Sequence, residues 1–201
     1  MLVRGEAVRK PADDRAGDSA GERSGRHRWN HLWDRSLAAG VGLAVAVAFA
    51  AQAVVLYSPQ AYYEGDCPYY ISTALSILHD GDIDLRNQLR GGLEVHGRQI
   101  ALGRVGQWYP KHPLLMPLAA LPFLVVFGLP GFTVLSVALL AALGVVLMRL
   151  ARTVAPPAAA AGAALLLMAG RFLRRYANNI TPAVLAALGP ALGLLARGRG
   201  G

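Results

Sequence analysis

The chain has 201 residues, 54% of them hydrophobic and only 16% charged, with a formal net charge of +8. A soluble domain of this size carries about 25% charged residues, and a mean hydropathy of +0.38 sets this chain on the apolar side. The basic balance does not imply a nucleic-acid partner, because the arginines lie between hydrophobic stretches and form no continuous stripe; a single cysteine, Cys67, excludes an intramolecular disulfide.

Residues 1–35 mix Arg, Asp, Gly, Ser and Ala without apolar periodicity and read as a disordered cytoplasmic tail. Trp29, Trp33 and Arg35 stand where an aromatic and basic belt would flank a span. Residues 36–57 are the first transmembrane helix: uncharged, with Gln52 as the strongly polar side chain, and long enough to cross about 30 Å of hydrocarbon. Eight basic residues in the tail place the N-terminus in the cytoplasm. Residues 58–112 then form a loop on the external side.

Half of the twelve acids lie in the tail; the others are Glu64, Asp66, Asp80, Asp82, Asp84 and Glu94. Any carboxylate chemistry therefore belongs to this loop. Cys67 to His79 reads as a short amphipathic helix, with Asp66 able to cap it, Pro68 in its first turn, and Tyr70, Ala74, Ile77 and Leu78 sharing a face. Gly81 suits a left-handed C-cap. Asp82 to Asn87 reads as a solvated polar turn. It does not fit a calcium loop, because Leu85 and Gly91 stand where the EF-hand needs Gly and Glu. Residues 93–100 read as a small hairpin or irregular loop.

Residues 113–130 contain Pro113, Pro117, Pro122 and Pro130, and one ordinary helix through all four is not expected. We read the segment as interfacial or re-entrant. Residues 131–201 hold the remaining spans, over 131–150, 157–172 and 181–196, and a short tail. The expected fold is an all-α polytopic membrane protein with about four transmembrane helices, a re-entrant or interfacial helical segment, and an external loop with a short amphipathic helix.

Two segments resemble the GT-C glycosyltransferases, polytopic enzymes that take sugars from polyprenyl-phosphate donors, among them the protein O-mannosyltransferases and the lipid A aminoarabinose transferases. The first runs Glu64-Gly65-Asp66-Cys67-Pro68-Tyr69-Tyr70 and on through Asp80-Gly81-Asp82-Ile83-Asp84-Leu85-Arg86-Asn87, soon after the first span. The second, Gln107-Trp108-Tyr109-Pro110-Lys111-His112-Pro113-Leu114, is similar to the segment that returns this loop to the membrane. The resemblance covers roughly residues 36–130, the N-terminal part of such an enzyme. It implies Asp66 as the base for the acceptor hydroxyl, Lys111 as the group facing the donor phosphate, and His112 and Arg104 behind it. Glu64 stands near the place of a missing second acid, because Cys67 follows Asp66. Asn178 and Asn179 occupy the place of a later carboxylate; Asn179 can orient a substrate but cannot act as a base. Transfer from a lipid phosphate calls for cationic or metal help, a divalent metal being the cofactor this chemistry admits, but no metal ligands are assigned. The partners implied are membrane lipid and the sugar donor, with an unidentified acceptor, in a multi-pass protein of the inner (plasma) membrane.

Each of these residues has a plainer reading. Asp66 can serve only as a helix cap, and Lys111 and His112 only as headgroup anchors. Trp108 and Tyr109 read as interface aromatics, Cys67 as a free thiol without function, and Gly189 to Gly193 as ordinary helix packing. The competing function is a non-catalytic membrane protein or degenerate fragment that binds lipid or protein as a scaffold. A transporter is disfavoured, because no acid lies within the later spans.

Overall fold

The computed structural model describes residues 15–55, 62, 65–89, 99–170, 176, 180 and 182–197, with side chains from Asp34 onward. It is mostly helical. The elements run α1 (Arg15–Val55), α2 (Cys67–His79), α3 (Arg86–Leu89), β1 (Ile100–Leu102), β2 (Trp108–Pro110), α4 (Leu115–Phe127), α5 (Gly131–Ala151), α6 (Pro157–Met168) and α7 (Ala183–Arg197). The chain divides into two units, Met1–Ser36 and Leu37–Gly201; packing is described for the second.

Two helices are long and apolar enough to cross a membrane, α1 from Asp34 to Val55 and α5 from Gly131 to Ala151. Helix α1 begins at Arg15, inside the stretch expected to be disordered. Its residues include good helix formers, and adding turns to an existing helix avoids the cost of a new nucleus. Helices α4, α6 and α7 have 13, 12 and 15 residues. At 1.5 Å per residue these are about 18–23 Å long, short of the roughly 30 Å hydrocarbon core.

The prolines of the 113–130 segment, read as a re-entrant or interfacial helical segment, leave room for a helix. One helix, α4, forms among them, with Pro117 in its first turns and Pro122 inside. Pro117 falls where amides have no intrahelical partner, whereas Pro122 removes one helical hydrogen bond. A turn through Gly128 and Pro130 then leads into α5.

Ala38, Val41, Val45 and Phe49 recur at helical spacing along α1 and pack with Leu140, Leu143 and Val146 of α5, Ala160 and Ala164 of α6, and Val184 and Leu188 of α7. Gly144 of α5 makes room for an α1 side chain: a Cβ there would meet Val45 Cγ2 at 3.1 Å. A second cluster joins Cys67, Tyr70, Ile71 and Ala74 of α2 to Met116, Ala120 and Leu124 of α4 and Phe132 and Leu135 of α5. The opposite, outward faces remain apolar: Leu43, Val47, Val54, Val126 and Leu166 are all exposed.

Helix α2 has the bounds expected but not the single buried face. Nine of its thirteen residues are buried, including Ser72, Thr73 and Ser76, whereas Leu78 is exposed. Contacts on two sides explain this: α4 covers Tyr70 and Ala74, while Tyr69 joins Leu85, Leu89, Ile100 and Trp108 in a third cluster. The helix ends as expected at Gly81, whose φ of 72° lets its N–H reach Ser76 O at 3.1 Å.

Candidate functional site

Asp66 occupies the N-cap position of α2, yet its side chain makes no capping bond. Its backbone carbonyl accepts instead from the N–H groups of Tyr69 and Tyr70, at 3.2 and 3.3 Å. Pro68 in the first turn has no N–H to satisfy. The Asp66 carboxylate is consequently free to turn away from the helix, and it is half exposed.

Its neighbours come from the hairpin. Strands β1 and β2 pair antiparallel, Ile100 opposite Pro110, Ala101 opposite Tyr109 and Leu102 opposite Trp108. Lys111 N–H continues the pairing by donating to Gln99 O at 3.3 Å. Gln99, Lys111 and His112 therefore gather at one end of the hairpin, the end that faces Asp66. Gln99 Nε2 donates to Asp66 Oδ1 over a long 3.5 Å, and His112 Nε2 lies 3.8 Å from the same oxygen. The imidazole is largely buried against two tyrosines, with ring centroids 5.6 Å from Tyr69 and 5.0 Å from Tyr70. Its Nε2 has no hydrogen-bond partner among the described residues. Burial, reinforced by the charges of Asp66 and Cys67, pushes the Tyr70 hydroxyl above its usual pKa. Tyr70 thus remains a neutral phenol beside the carboxylate at ordinary pH.

Lys111 is exposed next to His112. Arg104 lies in the exposed hairpin turn, at the opposite end of the strands from Gln99 and Asp66. Glu64 and Asn179 lie outside the described residues. Ile180, the residue after Asn179, is held at the head of α2: its N–H donates to Cys67 Sγ at 3.3 Å, and the thiol donates to its carbonyl at 3.8 Å. Cys67 is therefore a buried tie between two segments distant in sequence.

The acidic turn at the other end of α2 is a second constellation, and the sequence reading as a solvated turn understated it. Asp82 Oδ1 accepts from Ser76 Oγ at 2.8 Å and from Asp84 N–H at 2.9 Å. Asp84 Oδ1 accepts from Arg86 N–H at 3.2 Å and Trp108 N–H at 3.1 Å, and its Oδ2 from Arg86 Nε at 2.8 Å. Leu85 N–H donates to Trp108 O at 2.8 Å, which locks the turn to β2. Asp80 Oδ2 accepts from the side-chain amides of Asn87 and Gln88. The hydrogen bond from Arg86 is the main cause holding the Asp84 carboxyl below its usual pKa, aided by Trp108 N–H and opposed by burial. Two successive Asx turns, each a carboxylate bonding the N–H two residues on, were the signal available in the sequence. Leu85, an apolar residue directly after the second of these acids and fully buried in the structure, was the second.

The acids of the two ends do not converge. Among the described residues no three His, Cys, Asp or Glu side chains are placed to hold a metal ion, so the site as described does not fit the divalent metal that the chemistry admits. No family model matches the chain, and no curated protein and no solved structure matches it either.

Proposed function

We propose that the chain carries the acceptor-activating site of a membrane glycosyltransferase of the GT-C kind, working with a polyprenyl-phosphate sugar donor at the external face of the plasma membrane. The observation that carries this reading is the Asp66 carboxylate: at a capping position without a capping bond, half exposed, and faced by His112 and the basic return segment. The apolar surfaces of α1, α4 and α6 that remain exposed support a lipid environment. In the transfer step the acceptor hydroxyl gives its proton to Asp66 as its oxygen attacks the anomeric carbon. The bond from that carbon to the phosphate oxygen breaks, and its electron pair leaves with the phosphate. Lys111 supplies a flexible positive charge for that leaving group. His112, packed against Tyr69 and Tyr70, stands beside the carboxylate at 3.8 Å. The chain would be multi-pass, with its N-terminus in the cytoplasm.

The test is transfer from a radiolabelled polyprenyl-phosphate sugar by the full chain in lipid vesicles. Asp66→Asn is expected to lower turnover by about a hundredfold, the scale of a lost general base, while leaving the thermal transition in place. Unchanged turnover in this variant would remove Asp66 from the reaction. The scaffold reading is favoured by one observation, the shortness of α4, α6 and α7 as walls for a lipid groove; absence of both donor binding and transfer would select it.

A further inference from the structure

A cleft of about 660 Å³ opens between the C-terminal end of α2, the hairpin and the start of α4. It lies at the other end of α2 from Asp66, about 20 Å away along thirteen residues of helix. Its polar groups come from Asp82, Asp84, Arg86, Gln107 and Tyr109, and Ile77 and Leu118 contribute an apolar side.

Several of these groups have unused hydrogen-bonding capacity among the described residues. Asp82 engages one carboxylate oxygen with Ser76 and the Asp84 N–H, and the other takes no bond. Gln107 Oε1 accepts from Val105 N–H at 3.3 Å, which leaves its amide N–H groups to point elsewhere. The Tyr109 hydroxyl makes no hydrogen bond among the described residues. Gly103 makes this arrangement possible: a Cβ there would strike the Gln107 side chain and meet Tyr109 Cε2 at 2.9 Å. The glycine lets the tyrosine ring and the amide fold together over the strand.

The charges select the class of ligand. Arg86 is paired with Asp84 at 2.6 Å, so the remaining charge in the cleft is the Asp82 carboxylate. An anion such as a phosphate would meet that carboxylate and find the guanidinium already engaged. A divalent cation would lack a third ligand. A neutral polyhydroxylated molecule fits both features: its hydroxyls can donate to Asp82 and accept from Gln107 and Tyr109, while its C–H face lies on the tyrosine ring and the aliphatic side. We propose that this cleft is a saccharide-binding subsite, separate from Asp66 and independent of any transfer there.

The experiment measures binding without turnover, so it succeeds or fails independently of the transferase reading. The full chain is held in zwitterionic micelles that carry no sugar headgroup. Saturation-transfer difference NMR is recorded with maltose, methyl α-mannoside and N-acetylglucosamine, and with glucose 1-phosphate as the anionic counter-probe. Saturation of the ring protons of a neutral sugar is expected. Gln107→Ala should weaken binding by about tenfold, the worth of one good hydrogen bond to a sugar hydroxyl, and Leu118→Trp should abolish it by filling the apolar side. If Leu118→Trp loses its helical circular dichroism, Gln107→Ala, in the exposed hairpin turn, decides alone. No saturation of any neutral sugar, unchanged saturation in Gln107→Ala, or stronger transfer to glucose 1-phosphate would overturn the proposal.

Discussion

The two ends of α2 treat their carboxylates in opposite ways. At the C-terminal end, Asp82 and Asp84 are committed to bonds of 2.8–3.2 Å with Ser76, Arg86, Trp108 and their own turn. At the N-terminal end, Asp66 has only a long contact to Gln99 and a wide separation from His112, and the bond that its position would allow it to make is not made. The first pattern is that of groups which hold a structure together. The second is that of a group kept available. The hairpin connects them, because the turn that Asp84 and Leu85 lock to Trp108 sets the register that brings Gln99 and His112 to Asp66.

The largest stability effect should therefore arise at the committed end. Leu85 is fully buried with Tyr69, Leu89 and Ile100, and Leu85→Ala should destabilise by about 3 kcal/mol, in the range for a buried leucine truncated to alanine. Thermal unfolding followed by circular dichroism would register it, and a loss below about 1 kcal/mol would show that the hairpin is not anchored there. Asp84→Ala should follow at about 2 kcal/mol, because it removes charge-assisted bonds and leaves the Trp108 N–H without its acceptor. Amide exchange at Trp108 should accelerate in Asp84→Ala more than at any position in α5.

How far these roles could be read in the sequence depended on whether they were local. The bounds of α2 and α5 and the start of α6 follow from local signals: Pro68 and Gly81, the uncharged run after Pro130, and Pro157 at a helix start; α6 ends at Met168, short of the expected 172. The contrast between Asp66 and Asp84 was hidden, because both precede helix-forming residues, and the groups that distinguish them, His112 and Trp108, lie 46 and 24 residues away. The stretch 93–100, read as a small hairpin or irregular loop, lies outside the described residues up to 98, and the hairpin that is described, pairing across 100–110, was not foreseen because its partners too are set by contacts distant in sequence. Helix α4 was legible as a helical segment that could not run through all four prolines: Pro113 and Pro130 flank it, Pro117 falls in its first turns, and only Pro122 costs an interior hydrogen bond.

The acid dependence of the committed end separates the two patterns further. The Asp84 carboxyl is held below its usual pKa in the folded chain, so its contribution to stability is complete above the unfolded value. As the pH falls below about 4, that contribution declines, and it is gone once the pH passes the folded value. Protection of the Trp108 amide should follow this decline in the parent chain. In Asp84→Asn the corresponding step should be absent, although other carboxylates will still titrate.

The smallest expected effect is the most informative about Asp66. If its carboxylate capped α2, Asp66→Ala would cost about 1 kcal/mol. Because no capping bond is present, the loss should stay below about 0.5 kcal/mol, mostly from removing a negative charge near a helix N-terminus. The same substitution should act on Tyr70. The Asp66 charge is one cause of its raised pKa, second to burial, so removing that charge should move the Tyr70 ionisation to lower pH without bringing it fully to the usual value. Tyrosine carrying a ¹³C label at Cζ, followed by NMR through alkaline pH, resolves this residue from the others. A Tyr70 titration unmoved by Asp66→Ala, together with a stability loss near 1 kcal/mol, would identify Asp66 as a helix cap and erase the contrast between the two ends of α2. A shift in Tyr70 with little change in stability would place the charge where an acceptor hydroxyl could meet it.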